Sequence, residues 1–235
     1  MLGLLWPNAV LGLGRLLVEA SGAVSDMLCE VMVSLASRDI RPMEQLLNGA
    51  DEPLVFRLAP LLGRIDGKKS GQMLFKLSRY PSERVRLEAL RAIIQRKLWT
   101  PDKMGFLLGD ESALIRRLAI KYLGARRSEA AEGLLAKHIR DGKIPGDDSG
   151  ELIACFKALG KCGTERSLPF LKDTLLRGGW ISRFRPSTLR QGAAIALAQF
   201  GTEQSLQVLE EAARSHFPAV RSAAQAVYQA EGDEM

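Results

Sequence analysis

Five arginines, Arg57, Arg86, Arg116, Arg190 and Arg221, recur behind a mostly aliphatic residue in a segment that returns along the chain. A guanidinium carries a rigid fork of donors, which suits a phosphate or a carboxylate. A second set of cations stands five positions further on in three consecutive copies: Arg91, Lys121 and Lys157. One helical turn beyond come Gln95 and Lys161. A row of cations on successive helices can hold an acidic protein segment or a phosphate backbone. The plainer reading is a solvated helix face. A third set, Trp180, Arg183, Phe184 and Arg185, sits in the stretch RGGWISRFRPS (177–187). Trp and Arg are typical interface anchors, so this stretch ranks first as a single site. Its alternative is that Trp180 and Phe184 tuck back over the core.

Residues suited to catalysis are few. His138 and His216 are the two histidines of the chain, and they are followed by Ile139 and Phe217 rather than by an acid. Cys29, Cys155 and Cys162 form no C-x-x-C pair, and a metal centre would need more ligands nearby. Cys155 and Cys162 are two helical turns apart and can share one face, as buried free thiols in a reducing compartment. Asp147 and Asp148 lie in RDGKIPGDDSG (140–150), with no partner acid or histidine close in sequence, and read as turn residues. No phosphate-cradling glycine loop and no nucleophile elbow occurs. The expectation is a protein without catalytic residues, cofactor or metal.

These residues need elements to position them. The chain has 235 residues, 46% hydrophobic, 26% charged and 6% aromatic. A Leu/Ala-rich apolar set with few β-branched residues favours helix and argues against a β-sandwich, a membrane protein or a disulfide scaffold. Six segments align, starting at residues 56, 85, 115, 151, 189 and 220. Column one is mostly aliphatic and column two is Arg in five. Column five is small at Ala89, Ala119, Cys155, Ala193 and Ala224, and column nine is large and apolar at Ile93, Leu123, Leu159, Leu197 and Tyr228. A 1, 5, 9 spacing lays one stripe along a helix. Gly124, Gly160, Gly163 and Gly201 fall near the helix ends. Shorter amphipathic stretches lie between, as at 103–110, 167–176 and 205–214, and Thr164 and Thr202 stand where N-caps belong. Each unit is a helix A, a turn and a helix B. Such pairs bury their apolar faces only by stacking.

The expected fold is therefore all-α, an α-α superhelix (α-solenoid) of about six repeats over residues 40–235. Two apolar helices, near 8–20 and 23–37, precede it, and residues 1–39 serve as a cap or belong to a preceding repeat. Two repeat spacings are long, and their insertions, 140–150 and 177–187, should lie side by side on one rim. Charge is uneven: residues 101–190 hold 17 Lys+Arg against 11 Asp+Glu, and residues 191–235 hold 2 against 6. The N-terminus lacks a basic leader, and Arg15 interrupts its apolar run, which predicts no signal peptide or membrane span and a cytoplasmic protein.

The aliphatic-Arg pair opening helix B, its central small residue and the closing LGKCGT (159–164) and LAQFGT (197–202) together resemble the HEAT-repeat proteins of the short bacterial, PBS-lyase-type kind. Asp51 and Asp110, each six residues before a column Arg, resemble that family's Asp–Arg ladder. Pro60 inside the first helix B and Leu152 in the Arg column of the fourth depart from the pattern. The resemblance implies that helix B lines a concave face. It also implies that the column Arg pairs with carboxylates or caps backbone, with ligand contact as the other reading. It further implies a non-catalytic scaffold for a protein partner, as part of a larger signalling or stress protein. The alternative is a nucleic-acid binder similar to the HEAT-like alkylpurine DNA glycosylases, whose catalytic motif has no matching positions here. A chromophore lyase similar to the HEAT-type phycobilin lyases rests on the repeats alone. The missing His-Glu pairs exclude the HEAT-type deoxyhypusine hydroxylases.

Overall fold

A computed structural model describes residues 8–98, 100–142, 149–177 and 188–232. Every regular element among them is helical, and the helices gather into two compact units, Met1–Trp99 and Thr100–Met235. No helix among the described residues is long and apolar enough to cross a membrane.

The first unit holds α1 (Ala9–Glu19), α2 (Gly22–Arg38), α3 (Arg41–Gly49), α4 (Glu52–Arg64), α5 (Lys68–Leu77) and α6 (Glu83–Gln95). Asp51 caps α4 by accepting from the Leu54 N–H at 3.2 Å. Helix α4 packs on α6, and α5 lies against both. The close approach depends on Gly63, where a Cβ would stand 2.8 Å from the Ala92 Cβ. The α4 register corrects the repeat alignment. Leu54, Leu58 and Leu62 are its buried stripe, whereas Pro60 and Arg64 are exposed. The stripe thus starts two residues before Phe56, and Arg57 falls outside the Arg column.

The second unit opens with a 3-10 helix, Pro101–Gly109, followed by α7 (Ala113–Gly124), α8 (Glu129–Asp141), α9 (Ser149–Cys162), α10 (Leu168–Leu176), α11 (Thr188–Phe200), α12 (Glu203–Ala213) and α13 (Pro218–Gly232). The opening element is tighter than an α-helix. Gly105 and Gly109 disfavour the α conformation, and short connectors often take 3-10 turns. The cap chemistry expected at the threonines is present: Thr202 accepts from the Ser205 N–H at 3.2 Å, and Thr164 accepts from the Arg166 N–H at 3.4 Å. Gly142 ends α8 at φ +61°, a left-handed conformation that glycine adopts without Cβ strain.

The B helices pack in chain order, α7 on α9, α9 on α11 and α11 on α13. Each also packs on its own A partner: the 3-10 helix, α8, α10 and α12 respectively. The stripe expected at columns 1, 5 and 9 is buried along α7 (Ile115, Ala119, Leu123) and α9 (Glu151, Cys155, Leu159). On α11 and α13 it is buried except at its ends, Leu189 and Tyr228. Glycine sets the helix separation. A Cβ on Gly124 would stand 2.8 Å from the Ala158 Cα, and one on Gly160 would stand 3.0 Å from the Ala196 Cα. At Gly192 it would stand 2.1 Å from the Phe156 ring. The Leu/Ala composition thus becomes close helix contact between small residues and large aliphatic or aromatic ones.

Candidate functional site

The column arginines are occupied by the fold. Arg86 Nη1 donates to the carbonyls of Tyr80 (3.1 Å) and Pro81 (2.7 Å). Arg116 Nη1 donates to those of Asp110 (2.8 Å) and Glu111 (3.0 Å), and Arg221 Nη1 to that of Ser215 (3.0 Å). In each case the guanidinium reaches back to the turn that leads into its own helix. Arg190, across a longer insertion, donates from Nε to the Leu175 carbonyl at 3.2 Å. Arg57 serves otherwise, donating to the Ala20 carbonyl (3.3 Å) and Ser25 Oγ (3.1 Å), in keeping with its shifted register.

Arg116 has a second duty. Its Nε donates to Glu151 Oε1 at 2.8 Å and its Nη2 to Oε2 at 2.8 Å, a bidentate pair buried between α7 and α9. Glu151 occupies the aliphatic column in the very repeat that lacks its own Arg. Helix α9 therefore supplies the carboxylate, and the preceding helix supplies the cation. An acid in an apolar column was the sequence signal for this pair. A second buried carboxylate, Glu132 on α8, accepts from Thr164 Oγ1 at 2.8 Å and from Ser167 Oγ. It ties the turn before α10 to α8.

The thiols are inert by environment. Burial pushes Cys155 up to about 12, with the Glu151 charge adding to it. Burial pushes Cys162 up to about 11, helped by Glu132. Neither is a ready thiolate near neutral pH. Among the described residues no group of three His, Cys, Asp or Glu is placed to hold a metal ion.

What remains outward-facing is columns 3, 7 and 11 of the B helices. Lys121 on α7 and Lys157 and Lys161 on α9 are exposed there, and none of the three pairs with a carboxylate among the described residues. Arg117, in column 3 of α7, is exposed on the same stripe, and the sequence reading passed over it. Helices α7, α9 and α11 contain a single carboxylate, Glu151, and it is buried against Arg116. Exposed acids stand instead on the A helices: Glu129 and Asp141 on α8, Asp173 on α10, and Glu203, Glu210 and Glu211 on α12. The A helices are mixed, however, with Lys137 and Arg140 exposed on α8 and Lys172 on α10, so what sets α7 and α9 apart is that their exposed charges are all cations. On α11 and α13 these columns become neutral, with Gln191, Gln199, Ser222 and Ala226 exposed.

Arg91 does not join this group. It lies on α6 of the first unit and donates to Glu88 Oε1 on its own helix at 2.6 Å. Trp180, Arg183, Phe184 and Arg185 lie outside the described residues, as do Asp147 and Asp148. A scan against protein-family models and a search of curated proteins both find no match for the chain.

Proposed function

We propose that the chain is a non-catalytic binding scaffold built from HEAT-like helix pairs stacked in the α-solenoid manner, and that its ligand is a protein. One observation supports this reading: the B-helix face of the second unit leaves Lys121, Lys157 and Lys161 exposed, with no carboxylate partner among the described residues and no exposed carboxylate on α7, α9 or α11. The rest of the column chemistry supports it. The arginines that could have formed a phosphate site cap backbone carbonyls instead, and the buried thiols fit a protein kept in the reducing cytoplasm. As the resemblance to bacterial HEAT proteins implies, the scaffold would work within a larger signalling or stress assembly.

The test is affinity capture with three forms of the full chain: unaltered, K121E/K157E/K161E, and W180A/R185A. The reading expects a protein partner that the unaltered chain retains and at least one variant loses. Loss in the lysine variant places the partner on the B-helix face, and loss in the other places it on the 177–187 insertion. Capture of no protein, with retention of duplex DNA that weakens steeply as salt rises, would replace this reading with the nucleic-acid one, which the same lysines favour.

A further inference from the structure

We infer that the outer end of the α1–α2 helix pair is a two-fold interface with a second copy of this chain. Among the described residues of the first unit, the five exposed large hydrophobic residues all lie on these two helices: Leu11, Leu16, Val18, Val24 and Met27. The most open are Leu16, Val24 and Met27, at 54%, 55% and 56% of full exposure. Leu16 and Val24 flank the short turn between the helices, and Met27 stands one helical turn further along α2. Two contacts fix which way they point. Gly14 faces α3, where an added Cβ would stand 2.6 Å from the Leu46 side chain. Ser25 faces α4, where its Oγ accepts from Arg57 Nη1 at 3.1 Å. Leu16 and Met27 each come two residues after one of these, about 200° around the helix. Both therefore look away from α3 and α4, on the side where a further helix pair would stack.

The last pair of the second unit ends differently. Gly124 on α7 and Gly160 on α9 each touch the next B helix, at Ala158 and Ala196. The same column on α13 holds Gln229, and one turn earlier stands Gln225, both exposed. A terminal pair with a polar outer side is sealed against water, whereas an apolar outer side favours cover. The glutamine side offers no apolar surface to the open end, which disfavours head-to-tail association. A second α1–α2 end does offer one: an isologous pairing sets Leu16, Val24 and Met27 of the two copies against each other. The neighbouring charges suit the same pairing. Arg15, Glu19 and Asp26 are exposed and have no partner among the described residues. A two-fold axis brings the cation of one copy to an acid of the other, a match that a rim of one sign lacks.

The experiment is sedimentation velocity of the full chain over a wide concentration range. The expected result is a monomer–dimer equilibrium that stops at two copies. L16E/M27E should weaken it by roughly tenfold or more. A milder variant, L16Q/M27Q, should weaken it without adding charge, and circular dichroism confirms that both variants stay helical. R15E should also weaken the dimer, and the exchanged variant R15E/E19R/D26R should regain it. Q225E/Q229E, on α13, should associate like the unaltered chain. A chain that stays monomeric at every concentration overturns the inference, as does a dimer that both α1–α2 variants keep. Growth beyond two copies, loss of the dimer in Q225E/Q229E, or an exchanged variant that fails to recover overturns the two-fold pairing.

Discussion

Arg116 and Glu151 show how residue types suited to ligand binding can be taken up by the fold. Both side chains are buried, and each satisfies the other while Arg116 also holds the carbonyls of Asp110 and Glu111. Removing one partner strands a buried charge, which typically costs about 3–5 kcal/mol, whereas replacing both by apolar residues of similar volume is often neutral. Urea denaturation should therefore show R116M losing stability in that range and R116M/E151M recovering most of it. A loss below about 1 kcal/mol in the single variant would mean that the pair is not held as described. The thiols give a second prediction at this scale. Cys155 and Cys162 have folded values raised from an ordinary value of 9.0, so the fold favours the protonated form. That contribution is fully present below pH 9.0 and is lost as pH rises through about 11 and about 12. Near pH 8 an aromatic disulfide reagent should modify half-buried Cys29 in the folded protein and reach the other two thiols only on unfolding. Rapid modification of all three without unfolding would contradict their burial.

Between helices, contact rests on glycine facing bulk. Gly192→Ala would drive a Cβ into the Phe156 ring, so thermal unfolding should show a loss of about 1–3 kcal/mol. Adding Phe156→Leu should return part of that loss. If G192A melts like the unaltered chain, α9 and α11 are less closely packed than the structure shows. Much of this architecture was legible in the sequence because it depends on local patterns. The 1, 5, 9 stripe located α6, α7, α9, α11 and α13, and Thr164 and Thr202 marked two helix starts. Two features were not legible for reasons that local patterns cannot carry. Arg57 imitates the column Arg and drew the first repeat two residues out of register, whereas burial of Leu54, Leu58 and Leu62 reveals the true stripe. The 103–110 stretch has amphipathic spacing, yet its glycines favour 3-10 turns over an α-helix. The candidate site was legible in part. Lys121, Lys157 and Lys161 were visible as columns, but Arg117 was hidden among the neighbouring cations of α7. The absence of competing acids became visible once Glu151 was found buried.

Over the whole molecule, a net charge of +6 is less informative than its distribution. Within the second unit α7 and α9 expose cations and no carboxylate, whereas α8 and α10 expose both signs and α12 exposes acids. Cations exposed without a carboxylate on α7 and α9 give that face a field that attracts acidic ligands. A ligand bound through this field should weaken as added salt shortens the Debye length. The most direct measurement is lysine acetylation followed by peptide mass spectrometry, on the full chain with and without its captured protein partner. The B-helix account predicts that the partner protects Lys121, Lys157 and Lys161, while Lys137, exposed on α8, reacts at an unchanged rate. Protection at Lys137 with none at the three B-helix lysines would contradict it.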